Sequence, residues 1–67
     1  MEKEFIRDFN PETTSLIEII DYLEKSPDCK VKLQDEYQTL TYERVNDARG
    51  YMKAVRIVET GEIIQTI

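Results

Sequence analysis

One amphipathic segment, bounded by the only two prolines of the chain, constrains the fold more than any other feature. Asn10 is a natural N-cap, and Pro11 suits the first helical position, where its missing N–H has no intrahelical partner to lose. Pro27 ends the segment, because the residue before a proline is driven out of helical space. Helical spacing relates the apolar residues in between, which are Leu16, Ile19, Ile20 and Leu23. We therefore predict a helix between the two prolines.

The residues on either side of this helix alternate in the manner of strands. Residues 4–9 put apolar side chains on one side and predict a short first strand. Val31 and Leu33 alternate with polar neighbours and predict a second strand. A turn at residues 35–36 then leads into a third strand over residues 37–41.

A second helix is predicted over residues 42–55, "YERVNDARGYMKAV", with Thr41 as its cap. One face of this helix would carry Val45, Ala48, Met52 and Val55. Gly50 inside it would cost about 1 kcal/mol relative to alanine. The predicted helix would then bend, or something would pack closely against it, at that position.

The last segment, "VRIVETGEIIQTI" over residues 55–67, predicts a β-hairpin. Two runs of β-branched residues flank Thr60-Gly61, and Gly61 can adopt the positive φ that a tight turn requires. Apolar residues come in adjacent pairs on both sides of the turn, so both faces of the hairpin need cover. One face can take the helices, and the other needs a partner. We predict an oligomer interface formed by Ile57, Ile63, Ile64 and Ile67.

The predicted order is β-α-β-β-α-β-β in a single domain spanning residues 1–67. This order indicates an α+β, two-layer sandwich with both helices on one face of a four- or five-stranded, antiparallel or mixed sheet. Without the last strand, it corresponds to the split βαβ arrangement of ferredoxin-like folds.

Length and composition exclude several functional classes. A chain of 67 residues supports only a small core and usually needs an additional means of stabilisation. Cys29 is the only cysteine and histidine is absent, so neither an internal disulfide nor a nitrogen–sulfur metal site is expected. We also find no catalytic constellation and no cofactor motif, and we expect a non-enzymatic protein. Association into a homodimer remains as the expected means of stabilisation.

The sequence also predicts the cellular compartment of the protein. No secretory leader is recognisable at the N-terminus, and apolar runs do not exceed two residues, so we expect no membrane span. A single thiol without a secretion signal is typical of the reducing cytoplasm.

The charge is acidic and uneven along the chain. The net charge is −5, and residues 1–30 carry eight acids against four bases. Such a surface repels nucleic acid and favours a basic protein partner. The candidate partner-binding residues on the outer side of the first helix and just after it are Glu18, Asp21, Glu24 and Asp28. A solvated helix face that only maintains solubility is the alternative interpretation.

Two further patterns have competing interpretations. Arg49, Lys53 and Arg56 would form a basic stripe on the second helix, with Tyr42 nearby. A nucleic-acid binder would use such cations on phosphates and the tyrosine for stacking, but interleaved acids and the acidic chain favour salt bridges instead. The tetrapeptide at residues 59–62 resembles the "ETGE" motif by which a eukaryotic stress-response transcription factor docks on a kelch propeller. A hairpin turn explains the same four residues, and we prefer that interpretation.

Three segments, "YQTLTY", "ERVNDARGYMKAV" and "RIVETGEII", together resemble the small acidic accessory proteins of Gram-positive bacteria and their phages. That resemblance implies a stoichiometric binder of a host protein, which in some members mimics DNA. The leading hypothesis is therefore an inhibitor or modulator of a basic host protein in the bacterial cytoplasm, acting through the acidic face. The alternative is a structural subunit that assembles through its C-terminal hairpin.

Overall fold

A five-stranded mixed sheet with one helix on one face makes up the described part of the chain. The structure, a computed structural model, describes residues 5–67. Its elements are β1 (Phe5–Phe9), α1 (Leu16–Lys25), β2 (Cys29–Gln34), β3 (Thr39–Asn46), β4 (Met52–Ile57) and β5 (Ile63–Thr66). The strands lie in the order β1-β2-β3-β4-β5, with β1 parallel to β2 and every other neighbouring pair antiparallel. The predicted first strand is present, although its first residue, Glu4, lies outside the described residues.

The first helix is present but begins later than predicted. Its N-cap is Ser15, whose Oγ accepts a hydrogen bond from the Glu18 N–H at 3.3 Å. Asn10 instead organises a separate turn, where its Oδ1 accepts from the Glu12 N–H at 2.9 Å. Thr13 and Thr14 close that turn, because their N–H groups donate to the Asn10 carbonyl at 3.2 and 3.1 Å, and β-branched residues are poor helix formers. The helix therefore begins only at the next good capping residue.

The predicted second helix is wrong, and with it the two-helix sandwich and its ferredoxin-like arrangement. The segment from residue 42 to residue 55 forms most of β3, a tight turn and the first part of β4. In the turn, the Asp47 carboxylate accepts hydrogen bonds from the N–H groups of Arg49 at 2.8 Å and Tyr51 at 3.0 Å. Gly50 has a φ of +89°, which no residue of a right-handed helix adopts. The turn folds β4 directly back on β3, so no crossover connects them.

The core lies between α1 and the face of the sheet beneath it. Strand register places Val31 opposite Tyr42, and Tyr42 opposite Ile57, so these three side chains share one face. Ile19 and Leu23 of α1 pack on this row together with Val55. Each aliphatic side chain buried in this way stabilises the fold by about 1.5–3 kcal/mol.

The opposite face of the sheet has no helix over it within residues 5–67. Side chains alternate along a strand, so this face carries the neighbours of the core residues, including Lys32, Thr41 and Glu43. Glu43 accepts a hydrogen bond from the Arg56 guanidinium at 2.6 Å across the β3–β4 pair. We call this surface the open face.

The predicted C-terminal hairpin is observed as the β4–β5 pair. Gly61 has a φ of +74°, as its position in a tight turn requires. The Gly61 N–H donates to the Ile57 carbonyl at 2.8 Å and closes the turn. The pairing of β4 with β5 is irregular between Val55 and Arg56, where the register shifts. This bulge decides which isoleucines face the core.

Candidate functional site

All of the net charge of the described chain lies in one segment, residues 10–28, which we call the helix segment. Its five acids and one base give a net charge of −4. The remaining described residues, which form the sheet and its hairpins, hold seven acids and seven bases and are therefore neutral. The acids of the helix segment are Glu12, Glu18, Asp21, Glu24 and Asp28, and all are exposed. The molecule is thus divided into an acidic layer and a neutral layer.

Helix geometry determines how these acids are presented. Ile19 and Leu23 face the sheet, so Glu18, Asp21 and Glu24 lie on the solvent side of α1. Successive members of this trio are three residues apart, which is about 4.5 Å along the helix axis. The structure therefore brings these three predicted residues together on one helix.

The four acids predicted to bind a partner, Glu18, Asp21, Glu24 and Asp28, do not all have the same local surroundings. Asp21 accepts a hydrogen bond from the Lys25 ammonium at 3.1 Å, an exposed pair one turn apart that stabilises the helix only slightly. Glu18 lies in the first turn, where the helix dipole favours a negative charge. Asp28 is exposed in the turn between α1 and β2, beyond the end of the helix. It extends the acidic layer but does not lie on the helix.

The predicted hairpin interface is divided between the core and the surface. Ile57 is 8% exposed and belongs to the core of the chain itself. Its predicted place in an oligomer interface is therefore corrected to a place in the core. Ile64 is half-buried against the same core. Ile63 and Ile67 are 56% and 62% exposed. Only these last two present most of their surface to a partner.

The predicted basic stripe does not form. Arg49 lies in the β3–β4 turn, Lys53 lies on β4, and Arg56 is paired with Glu43. Tyr42, considered as a stacking residue, is buried in the core. Without the second helix, the cations are not aligned on one surface.

Glu59 fastens the β4–β5 hairpin to β3. Its two carboxylate oxygens accept hydrogen bonds from the Thr41 N–H at 2.6 Å and from the Thr41 hydroxyl at 2.7 Å. These two bonds, with a smaller contribution from the Lys32 charge, hold the pKa of Glu59 below its ordinary value. Burial raises the pKa of Tyr42, and the nearby Glu59 charge adds to this effect. The first glutamate of the "ETGE" tetrapeptide therefore has a structural partner, as the hairpin interpretation favours.

Sequence reasoning also missed Arg44, because it placed this residue in a helix. The Arg44 guanidinium donates to the Leu23 carbonyl at 3.1 Å, near the C-terminal end of α1. It also donates to the Asn46 side chain at 2.8 Å and to the Gly50 carbonyl at 3.4 Å. A cation at this end of a helix is favoured by the helix dipole. Arg44 thus connects the helix to the turn between β3 and β4.

Among the depressions on the surface of the described chain are two open ones. One, of ≈ 470 Å³, lies beside β1 and β2 and is lined by Asp8, Phe9, Lys32, Gln34, Asp35 and Glu36. The other, of ≈ 210 Å³, lies beside the half-buried Cys29. No group of three or more potential metal ligands is assembled within residues 5–67. None of the described helices has the length and apolar character needed to cross a membrane.

Comparison with known proteins adds no assignment. No protein-family model, curated protein or solved structure matches this chain significantly. The resemblance to small acidic accessory proteins of Gram-positive bacteria and their phages stays a prediction. Function has to be argued from the residues and surfaces described above.

Proposed function

We propose that this chain is a non-enzymatic protein-binding module that inhibits or modulates a basic protein in the cytoplasm of a bacterial cell. The helix segment is the proposed docking surface, with Glu18, Asp21, Glu24 and Asp28 as its principal charges. The separation of charge between the layers carries this proposal: the helix segment has a net charge of −4 and the rest of the described chain is neutral.

The spacing of the acids supports joint action on a partner. Adjacent acids on α1 are about 4.5 Å apart along the axis, whereas electrostatic screening at physiological salt acts over about 8 Å. A basic surface that approaches the helix therefore interacts with several carboxylates together. Such attraction accelerates encounter and selects for cationic partners, and it weakens as salt rises.

Charge density argues for a basic protein surface more than for close imitation of duplex DNA. Duplex DNA carries one charge per ~1.7 Å of axis, and a single strand carries one per ~3.4 Å. One carboxylate per ~4.5 Å of helix is sparser than either. The proposal in its general form is binding to a basic protein surface, and DNA mimicry is a special case of it. A competition experiment with DNA distinguishes the two.

A pair of matched charge-reversal variants tests the docking surface. The first combines Glu18→Lys, Asp21→Lys and Glu24→Lys. The control changes three exposed acids outside the helix segment, with the same change in net charge, through Asp8→Lys, Glu36→Lys and Glu62→Lys. Each protein is immobilised at equal density and used to capture partners from bacterial lysate. Bound proteins are eluted with rising salt and quantified by mass spectrometry.

We expect the wild type and the control to capture a basic protein that rising salt releases, and the helix variant to capture at least tenfold less of it. Displacement of that protein by duplex DNA would support mimicry. Equal capture by the helix variant, or capture of only a neutral protein that resists salt, would contradict the proposal. Far-UV circular dichroism must first show that the helix variant is folded, because lysine in the first helical turn costs about 0.3–1 kcal/mol.

A further inference from the structure

The outer edge of β5 presents main-chain hydrogen-bonding groups to a further strand. Thr66 lies opposite Ala54, and the neighbouring Ile67 N–H donates inward to the Lys53 carbonyl at 2.8 Å. In an antiparallel ladder, this arrangement makes Thr66 and Ala54 a non-hydrogen-bonded pair. The N–H and C=O groups of Thr66 therefore point away from β4. Consistent with that direction, the Thr66 carbonyl accepts a hydrogen bond from the Gln65 side-chain amide at 3.1 Å.

The two edges of the sheet differ in how they are protected. Natural edge strands use charged residues and prolines to prevent pairing with other chains. The edge strand β1 carries Arg7 and Asp8, whereas the sequence of β5 is Ile-Ile-Gln-Thr, without a charge or a proline. Ile63 in β5 and Ile67 just after it are the exposed isoleucines described above. Of the two edges, β5 is the one that favours a partner strand.

We propose that β5 pairs antiparallel with β5 of a second copy of this chain, about a two-fold axis perpendicular to the sheet. The two five-stranded sheets would then form one sheet of ten strands. A two-fold axis sets the same strand against itself, so the partner must be compatible with its own sequence. β5 satisfies this condition, because no like charges can meet across it. In the same arrangement at the other edge, a register centred on Arg7 would place two arginines opposite each other.

Repulsion between the acidic layers does not oppose this dimer. The helix packs over β2 and β3, so the two helices would be separated by about six strand spacings, or ~29 Å. That distance is more than three screening lengths at physiological salt. The axis leaves both helices on the same side of the joined sheet. The dimer surface is therefore independent of the proposed docking surface.

The variant Thr66→Pro tests this pairing directly. Proline removes the N–H that points outward, which takes no part in the ladder with β4, and its φ is compatible with an edge strand. The matched control, Thr66→Ala, removes the side chain and keeps the N–H. Sedimentation equilibrium of the three proteins, from micromolar to 1 mM, measures self-association. Amide hydrogen exchange at low and high protein concentration reports on the edge itself.

We expect the wild type and Thr66→Ala to dimerise with similar affinity and Thr66→Pro to dimerise at least tenfold more weakly. In the wild type, the Thr66 amide should exchange more slowly at high concentration. A wild type that stays monomeric at 1 mM would overturn the proposal. So would a Thr66→Pro variant that dimerises as well as the wild type, which would place the interface elsewhere, for example on the open face. Circular dichroism of Thr66→Pro serves as the check on folding.

Discussion

The Glu59–Thr41 contact gives a quantitative prediction about what holds the C-terminal hairpin to the sheet. Glu59→Ala removes both hydrogen bonds to Thr41, at 2.6 and 2.7 Å, and leaves the Thr41 groups to water. A hydrogen bond to a charged group contributes about 1.5–3 kcal/mol where it is protected from solvent. The Glu59 side chain is exposed, so water compensates for much of the loss and screening weakens the rest. We expect a destabilisation of about 1 kcal/mol.

Thermal and urea denaturation measure this effect. For a domain of this size, 1 kcal/mol lowers the Tm by about 4–8 °C. A second variant, Glu59→Gln, separates charge from hydrogen bonding. Its amide oxygen can still accept from the Thr41 N–H and its amide nitrogen can donate to the Thr41 hydroxyl. We therefore expect Glu59→Gln to lose less stability at neutral pH than Glu59→Ala.

The pH dependence has a definite sign. The pKa of Glu59 is lower in the folded protein than its ordinary value of 4.5, because Thr41 stabilises the charged carboxylate. The charge-dependent part of its contribution is therefore complete above pH 4.5 and is lost as the pH falls through the lowered pKa. The stability difference between the wild type and Glu59→Gln should shrink over that acidic range and remain constant between pH 6 and 8.

A double-mutant cycle with Thr41→Val identifies the partner. Valine keeps the backbone N–H and removes the hydroxyl, so the two single variants should be non-additive by about 0.5–1 kcal/mol. Strict additivity, or a Glu59→Ala variant as stable as the wild type, would refute the role assigned to this contact. In that case, the β4–β5 pairing and the turn at Gly61 would be sufficient to hold the hairpin.

Two further predictions concern the core and the β3–β4 turn. Leu23→Ala removes a completely buried side chain and should cost about 2–5 kcal/mol, out of a total stability of roughly 3–10 kcal/mol for a chain of this length. Urea titration should therefore show a largely lost or much earlier transition, and a midpoint near that of the wild type would contradict the core described here. Gly50→Ala should cost at least about 1 kcal/mol, because φ is +89° there although an added Cβ would meet no atom within 4 Å. The neighbouring exposed substitution Arg49→Ala is its control, and equal Tm values for the two variants would contradict the turn.

The sequence predicted the first helix well because its pattern has few alternatives. Leu16, Ile19, Ile20 and Leu23 match helical spacing over two turns, and Pro27 marks the end. The starting residue was predicted wrongly at Asn10, because Asn10 and Ser15 are both good capping residues and the observed N-cap is Ser15. Local propensity could not choose between them. The outward position of the predicted acids on α1 followed from the same periodicity.

The second helix was predicted wrongly because two patterns overlap between residues 42 and 55. Val45, Ala48, Met52 and Val55 match helical spacing by coincidence. The strand pattern was obscured at Arg44, a charged residue that lies on the core side because it binds the Leu23 carbonyl near the end of α1. Such a partner is visible only in the fold. The Asp47-x-x-Gly50 sequence was the available turn signal, and the helical spacing concealed it.

The residues of the C-terminal hairpin show a different limit of prediction from sequence. Apolar residues in adjacent pairs gave no indication of which member faces the core, and in β5 the register shift opposite Val55 and Arg56 also changes the alternation. Ile57 was therefore assigned to an interface although it is buried. The contact of Glu59 with Thr41 spans 18 residues of sequence, and no local pattern could predict it. The pairing of strands that are distant in sequence determines which isoleucines face the core and which residue Glu59 contacts, and local spacing does not show either.

The two proposed surfaces lie on separate elements, and their combination predicts a difference in avidity. A dimer through β5 would present two helix segments on one side of the sheet, ~29 Å apart. A partner with two basic sites at that separation would bind both helices, and linked binding of this kind strengthens association by about 10²–10⁴-fold. Thr66→Pro should then weaken binding to such a partner while leaving the affinity for a partner with one basic site unchanged. The helix charge reversals should weaken both without altering self-association. Loss of binding to a single-site partner in Thr66→Pro would mean that the edge strand itself contacts the partner, and that the two surfaces are one.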